Sequence, residues 1–186
     1  MTRYVALLRG INVGRHNRIP MATLRELLDG LGCTAVQTHL QSGNAVFAPP
    51  QRGPGTPAAV AEGLERAIAE RLSLQVPVLV REGADLRRVA AHGPLADPDF
   101  DPSRLLVTFL SGPVDGERLA GLDPTAYAPD RFWPGQEEIY VYCPDGVRGS
   151  KLRQEFWEKR LGLVGTARNW NTVRKLAALV AAADTP

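Results

Sequence analysis

The sequence is poor in cysteine, histidine and long apolar runs, and each shortage excludes a class of protein. Two cysteines, Cys33 and Cys143, stand far apart among 186 residues, which is too few for a disulfide scaffold and favours a reducing compartment. The three histidines, His16, His39 and His92, have no metal-ligand spacing with one another or with a cysteine, so we expect no metal site. No run reaches the roughly 18 apolar residues that a membrane span needs, and the first residues lack a signal-peptide pattern. We therefore expect a cytoplasmic protein without a membrane partner.

Net positive charge is also small, and its distribution is more informative than its total. The formal net charge is +2, so the chain has no strongly basic footprint for nucleic acid. Residues 1–31 carry five Arg against two acids and residues 140–186 carry eight Lys or Arg against four, whereas residues 32–139 carry nine Arg against fourteen acids. An anion site needs such a positive excess. The alternative is that nineteen Arg against three Lys scatter charge unevenly by chance.

Apolar periodicity predicts alternating strands and helices in the first half of the chain. Short apolar runs indicate strands, and leucines at helical spacing indicate two amphipathic helices. The predicted strands are residues 3–9, 36–40, 45–48 and 76–80, and the predicted helices begin at Pro20 and after a Thr56 cap. The order β-α-β-β-α-β within about 80 residues is the ferredoxin-like split βαβ plan, a four-stranded antiparallel sheet with two helices on one face.

Sequence patterns in the second half of the chain predict a similar but less regular order of strands and helices. Its predicted helices are about 84–91, 117–122, 150–161 and 172–183, and its predicted strands are 105–110, 131–133, 139–142 and 164–167. We place the domain boundary between residues 82 and 83, which gives an N-terminal ferredoxin-like domain over 1–82 and a C-terminal α/β plait-like domain over 83–186. The predicted fold class is therefore α+β, with two ferredoxin-like (βαββαβ) plaits and an additional C-terminal helix.

The segment Arg9–Gly14 (Arg-Gly-Ile-Asn-Val-Gly) follows the first predicted strand and is a candidate ligand loop. It is not a dinucleotide fingerprint, because Asn12 and Arg15 stand where the second and third glycines belong, and no Walker lysine follows. What remains is a permissive, arginine-flanked loop that leads to a helix N-terminus, where free N–H groups and the helix dipole favour an anion. The alternative is that both glycines serve tight turns and that Asn12 bonds the backbone.

Two shorter polar clusters have similarly open interpretations. Ser42-Gly43-Asn44 follows a predicted strand and lies, in the predicted plait, at the same end of the sheet as Asn12, although turn chemistry alone explains these residue types. Ser150 is predicted to cap a helix, beside Lys151, at a position that also suits an anion. A catalytic Ser–Lys dyad is disfavoured, because adjacent residues do not face one another on a helix.

The segment over residues 166–172 (Thr-Ala-Arg-Asn-Trp-Asn-Thr) has the most unusual composition. Three of its residues are candidate caps for the last helix, and one cap is sufficient: Asn169, Asn171 and Thr172. Arg168 suits bidentate pairing with phosphate or carboxylate, and Trp170 suits stacking on a base or ring. The alternative is that Trp170 anchors the core and Arg168 meets an acidic neighbour.

Taken together, these segments resemble the bacterial proteins grouped as domain-of-unknown-function family 1697. The residues that carry the resemblance are Tyr4–Gly14, Gln41–Asn44 with Val46 and Phe47, Ser150–Leu152 and Arg168–Val173. The resemblance covers nearly the whole chain and implies two ferredoxin-like plaits, but it brings no established activity, substrate or catalytic residue. This sequence departs from the commoner pattern at Arg15, where glycine is frequent, and at Ala45, where valine is frequent.

These patterns predict a protein that binds a small anionic ligand, phosphorylated or nucleotide-like, in a cleft formed by the loops over residues 9–14 and 42–44. The segment over residues 168–172 is a candidate addition to this cleft. The candidate ligand residues are Arg9, Asn12, Gly14, Arg15, Ser42, Asn44, Ser150, Lys151, Arg168, Asn169 and Asn171. Nucleic-acid binding is a less favoured alternative, because ten of the twelve aromatic residues lie beyond residue 99 and a plait needs aromatics on its central strands for that use. An enzyme without a recognisable motif and a regulatory homodimer remain open. We predict no cofactor, and the sequence identifies no catalytic residue.

Overall fold

In a computed structural model of the protein, residues 2–14, 16–53, 55–94 and 100–182 are described. Across these ranges the chain forms six α-helices and two four-stranded antiparallel sheets. The strands are β1 Tyr4–Leu8, β2 Thr34–His39, β3 Asn44–Ala48, β4 Val78–Glu82, β5 Leu105–Leu110, β6 Arg131–Pro134, β7 Glu138–Tyr142 and β8 Gly165–Asn169. The helices are α1 Met21–Gly30, α2 Pro57–Leu72, α3 Gly83–Ala91, α4 Gly116–Ala120, α5 Gln154–Leu161 and α6 Trp170–Ala182. None of these helices has the length and apolarity to cross a bilayer.

The chain divides into two compact units. The first unit consists of Met1–Arg88 together with Lys175–Pro186, and the second is Val89–Arg174. This division falls inside α3 and, on the return, inside α6. The domain boundary between residues 82 and 83 stays a prediction.

The first sheet has the strand order β2-β3-β1-β4. The central strand β1 is apolar and buried along its whole length, because it pairs with β3 on one side and with β4 on the other. Ala6 marks this register, lying opposite Ala45 and Val80. Alternate residues of β1 pack with the apolar faces of α1 and α2 in one core. The predicted Thr56 cap of α2 is confirmed, since its Oγ1 accepts from the Ala59 N–H (3.3 Å).

The second sheet repeats this connectivity with the order β6-β7-β5-β8. In each unit, the first strand of the unit lies between its third and fourth strands, and the second strand is at an edge. The core of the second unit packs apolar residues of β5 and β7 against α5, with Trp157 fully buried. The Trp157 Nε1–H donates to the Leu152 carbonyl (2.9 Å), so the largest side chain of this core leaves no polar atom unpaired. The α+β prediction is confirmed.

The predicted cap of α5 is wrong. The helix begins at Gln154, and Arg153, rather than Ser150, occupies the N-cap position without a side-chain cap bond. Ser150 instead closes a local turn, in which its Oγ accepts from the Leu152 N–H (3.0 Å). A serine favours both arrangements for the same reason, because its hydroxyl satisfies a nearby backbone N–H.

Both cysteines are buried free thiols, and this predicts a measurable alkaline instability. Burial, with a smaller effect from Asp29, raises the pKa of the Cys33 thiol from 9.0 to about 11. Between these pH values the native thiol keeps a proton that the unfolded chain releases, so the free energy of unfolding should fall as pH rises from about 9 to about 11. Denaturant titrations at stepped pH measure the slope. Cys33→Ala should flatten it, and equal slopes in the two proteins would exclude a contribution from this thiol.

Candidate functional site

The candidate site in the first unit is built from two connections at one end of the sheet. We call residues 9–20, between β1 and α1, the N-terminal loop, and residues 40–43, between β2 and β3, the β2–β3 turn. The Asn12 Nδ2 donates to the carbonyl of Ile19 (3.0 Å) and to that of Gln41 (2.6 Å). Its Oδ1 accepts from the Ile19 N–H (3.0 Å). Asn12 thus closes the loop and joins it to the turn, with both amide donors and the acceptor in use.

Gly43 allows the N-terminal loop to pack on the β2–β3 turn. Its φ is +78°, and a Cβ at this position would lie 2.7 Å from Ile11 Cδ1 and 2.8 Å from Leu8 Cβ. Ile11 is buried, and the Leu8 N–H donates to the Gly43 carbonyl (2.9 Å). A glycine is therefore required both by the left-handed backbone and by the close approach of two apolar side chains.

Ser42 and Asn44 support the same turn. The Asn44 Nδ2 donates to the His39 carbonyl (2.8 Å) and to Ser42 Oγ (3.0 Å), and Asn44 is fully buried. A buried amide needs such partners, because an unsatisfied one would cost more than the bonds contribute. These contacts favour the turn-chemistry interpretation of the Ser-Gly-Asn motif.

An open depression of about 360 Å³ lies where the N-terminal loop meets α1. It is lined by Asn12, Gly14, Arg18, Ile19, Pro20 and Gln41. Of these described lining residues, Arg18 is exposed and positively charged, and none is acidic. Gly14 has a φ of +59° and nothing within 4 Å of the place a Cβ would occupy. The backbone there is open to an approaching group.

Helix α1 begins at the edge of this depression. Pro20 is its N-cap rather than its first helical residue, and it provides no side-chain cap; the first turn contains no acid. The first intrahelical bond is the one that the Leu24 N–H donates to the Pro20 carbonyl (3.0 Å), so the N–H groups of the preceding turn lack intrahelical partners. Such a helix end attracts an anion.

Two other candidates in this region contribute less. Arg9 is half-buried, and its backbone N–H donates to the Pro77 carbonyl (2.9 Å). Arg15 lies outside the described residues. Arg18 and Gln41 were not among the predicted ligand residues, and only their neighbourhood in the sequence, between an arginine-rich loop and a turn signal, indicated them.

Ser150 and Lys151 lie in the second unit, at a different cavity of about 250 Å³. Its lining also includes Asp130 and Asp145, which the sequence did not single out because acids in turns are ordinary. The pKa of the buried Cys143 thiol is raised chiefly by burial, with opposing effects from the neighbouring Ser150 hydroxyl, which lowers it, and Asp130, which raises it. The Ser150 hydroxyl closes the local turn to Leu152, which is a structural role.

Arg168, Asn169 and Asn171 also lie in the second unit. Arg168 is buried in β8, where its Nη1 donates to Thr166 Oγ1 (2.7 Å) and to the Ala167 carbonyl (2.8 Å). Burial lowers its pKa to about 10, so it stays charged at neutral pH. Asn169 accepts at Oδ1 from the Asn171 N–H (3.0 Å) and donates from Nδ2 to the Ser103 carbonyl (2.7 Å). Asn169 is thus the cap of α6, and that this segment completes the first-unit site stays a prediction.

Trp170 is a core residue, as the alternative interpretation held. It is 2% exposed, and its ring lies edge-on to that of Tyr140 with centroids 6.3 Å apart. Gly93 also packs against it, since a Cβ there would lie 2.2 Å from the indole ring. A ligand base cannot stack on a ring that is covered in this way. In the ranges that the structure describes, no group of three or more His, Cys, Asp or Glu is arranged to hold a metal.

Comparison with known proteins agrees with the motif resemblance. The profile of a family described as "Protein of unknown function (DUF1697)" matches residues 1–140. The chain belongs to this family. A conserved bacterial protein from Streptococcus pneumoniae has a similar structure, with a TM-score of 0.72 and 24% identity over 96% of this chain and 98% of that one; at this identity the likeness shows the fold alone. No curated protein matches the chain.

The packing of Gly43 predicts a large loss of stability on substitution. Gly43→Ala introduces both a left-handed alanine and the contacts at 2.7 and 2.8 Å, and we expect a loss of about 3 kcal/mol. Gly14→Ala is the matched control, because it has the same sign of φ but open space, and we expect a loss of about 1 kcal/mol. Urea denaturation of the two variants measures the difference. Equal losses would show that packing of the turn under Ile11 adds nothing.

The contacts of Asn12 predict that it stabilises the loop. Asn12 and Asn17 both have positive φ (54° and 47°), so alanine meets the same backbone strain at either site. The Asn17 side chain donates from Nδ2 to the Gly10 carbonyl (3.2 Å), whereas the Asn12 amide makes three hydrogen bonds. We expect Asn12→Ala to cost roughly 2 kcal/mol more than Asn17→Ala. Chemical denaturation tests this. An equal loss of stability in the two variants would show that the Asn12 amide does not stabilise the contact between the N-terminal loop and the β2–β3 turn.

Proposed function

We propose that this DUF1697 protein binds a small anionic ligand, phosphorylated or nucleotide-like, in the depression of the first unit. The observation that carries the proposal is the N-terminus of α1, which has no side-chain cap and no acid in its first turn and begins at the edge of an open depression. Unpaired N–H groups and the helix dipole are the usual protein partners of phosphate.

Charge around the depression supports the same ligand class. Arg18 is exposed at its margin, and the lining residues that the structure describes include no acid. An arginine recognises phosphate through two parallel N–H···O bonds. The open backbone at Gly14 leaves room for a bulky oxyanion to approach the loop.

The predicted residues Asn12, Ser42 and Asn44 have a supporting role in this proposal. Their side chains bond the backbone and one another, which fixes the position of the loop that borders the depression. A site whose supporting residues are already bonded loses less conformational freedom when a ligand binds. Arg18 and the backbone of α1 are then the groups that contact the anion.

We also propose that each unit is a ferredoxin-like plait and that the protein is cytoplasmic. The β-α-β-β-α-β order and the repeated strand orders β2-β3-β1-β4 and β6-β7-β5-β8 support the plait. The two buried free thiols are typical of a reducing compartment.

The contribution of Arg18 is tested by titrating pyrophosphate and AMP into the protein by calorimetry. Arg18→Gln should weaken binding about tenfold, as expected for the loss of one charge-assisted pair. Arg66→Gln, which removes an exposed arginine of α2, is the control and should bind normally. If neither compound binds, or if both variants weaken equally, the proposal fails. A single-stranded oligonucleotide that binds with a steep salt dependence while AMP does not would favour nucleic acid.

The contribution of the helix N-terminus is tested by Pro20→Asp. An aspartate at the N-cap supplies its own carboxylate to the first turn, and we expect it to raise the stability of the protein by about 1 kcal/mol. The same carboxylate should compete with pyrophosphate and reduce its binding at least tenfold. Binding lost together with a gain in melting temperature is a result that damage to the fold cannot produce. Unchanged binding in a stabilised variant would place the anion elsewhere.

A further inference from the structure

A second cavity, in the second unit, has chemistry opposite to that of the first. It is enclosed by two chain segments, residues 126–130 before β6 and residues 145–151 after β7, and measures about 250 Å³. Among the described residues that line it, three are charged: Asp130, Asp145 and Lys151. That volume suits a molecule of a few heavy atoms rather than a nucleotide.

Backbone donors around this cavity are largely bonded within the protein. The N–H groups of five lining residues donate to nearby carbonyls at 2.9 to 3.2 Å: Ala126, Ala128, Asp130, Gly146 and Ser150. Pro129 has no N–H to offer. The Ser150 hydroxyl accepts from the Leu152 N–H (3.0 Å). These bonded N–H groups are not offered to a ligand, whereas the carboxylates of Asp130 and Asp145 are acceptors, so this part of the lining favours a ligand that brings its own donors.

Asp130 lies beside a buried thiol. The Cys143 thiol is fully buried, and burial raises its pKa; the nearby Ser150 hydroxyl opposes this effect and Asp130 adds to it. Because a carboxylate has about four acceptor sites, Asp130 has capacity for a ligand donor at the cavity.

Lys151 offers a partner for an anionic group on the ligand. It is exposed and lines the same cavity as the two carboxylates. A purely cationic ligand would leave the ammonium group of Lys151 without a partner, and a purely anionic one would be repelled by the two carboxylates. A ligand that carries both charges meets a partner for each.

We propose that this cavity binds a small zwitterion, with its ammonium group between Asp130 and Asp145 and its carboxylate at Lys151. The site belongs to the second unit alone and is independent of the anion site proposed above. The sequence predicted an anionic ligand at Ser150 and Lys151, whereas the ligand proposed here carries both charges.

The proposal is tested by NMR titration with three matched sets of compounds. Each set contains an aminocarboxylate, the amine without its carboxylate and the acid without its amine, and the aminocarboxylates are glycine, 4-aminobutyrate and 6-aminohexanoate. At least one aminocarboxylate should bind at least tenfold more tightly than its amine and its acid, and should shift the amide signals of residues 126–130 and 145–151. The proposal is overturned if none binds, if an acid binds as tightly as its aminocarboxylate, or if the shifts lie elsewhere.

Two variants test which side chains of the cavity contact the charged groups of the ligand. Asp145→Asn, at an exposed position, should weaken binding of the aminocarboxylate about tenfold. Lys151→Gln should remove the preference for the aminocarboxylate over its amine. Glu155→Gln and Lys159→Gln are the matched controls, since both residues are exposed on α5 and outside the cavity lining, and they should bind normally. If the controls weaken binding as much as the two variants do, the effect comes from the net charge of the protein, and the proposed site is contradicted.

Discussion

The arrangement of the first unit's site depends on one side chain, the amide of Asn12. Its two donors and one acceptor connect the beginning of the N-terminal loop to its end at Ile19 and to the β2–β3 turn at Gln41. Asparagine suits this position because it tolerates left-handed φ and offers both donors and an acceptor on a short side chain. A loop held at both ends presents a fixed backbone, and a fixed backbone is what an uncapped helix end needs if it is to bind an anion tightly.

Much of the fold could be predicted from the sequence, because apolar periodicity and turn residues are local signals. The β1 run and the Thr56 cap are examples, and both lie where the pattern indicated. The start of α5 was missed, because a serine hydroxyl satisfies a nearby backbone N–H equally well in a helix cap and in a local turn, and Ser150 forms the turn. The grouping of residues 175–182 with the first unit depends on tertiary contacts.

The candidate site could be predicted only in part, for a related reason. Sequence composition identified the polar segments but could not tell ligand contacts from supporting bonds. Asn12 and Asn44 turn out to bond the protein itself, whereas Gln41, Asp130 and Asp145 line cavities without any unusual local pattern. Neither apolar periodicity nor turn chemistry constrains an exposed side chain at a cavity, so a single sequence contains no pattern that identifies it.

Comparison of the two units shows that the connection over residues 9–20 is longer than the fold requires. In the first unit the Leu8 N–H donates to the Gly43 carbonyl, and in the second the Leu110 N–H makes the equivalent bond to Glu137 (both 2.9 Å). Where Asn12 reaches Gln41 in the first unit, the second uses a backbone bond from Val114 to Gln136 (2.8 Å). The second unit closes this end of its sheet with residues 111–115 alone, so the longer connection over residues 9–20 is not required for closure. Its additional residues, Arg18 and Gly14 among them, border the depression at α1, which is where we propose that the anion binds.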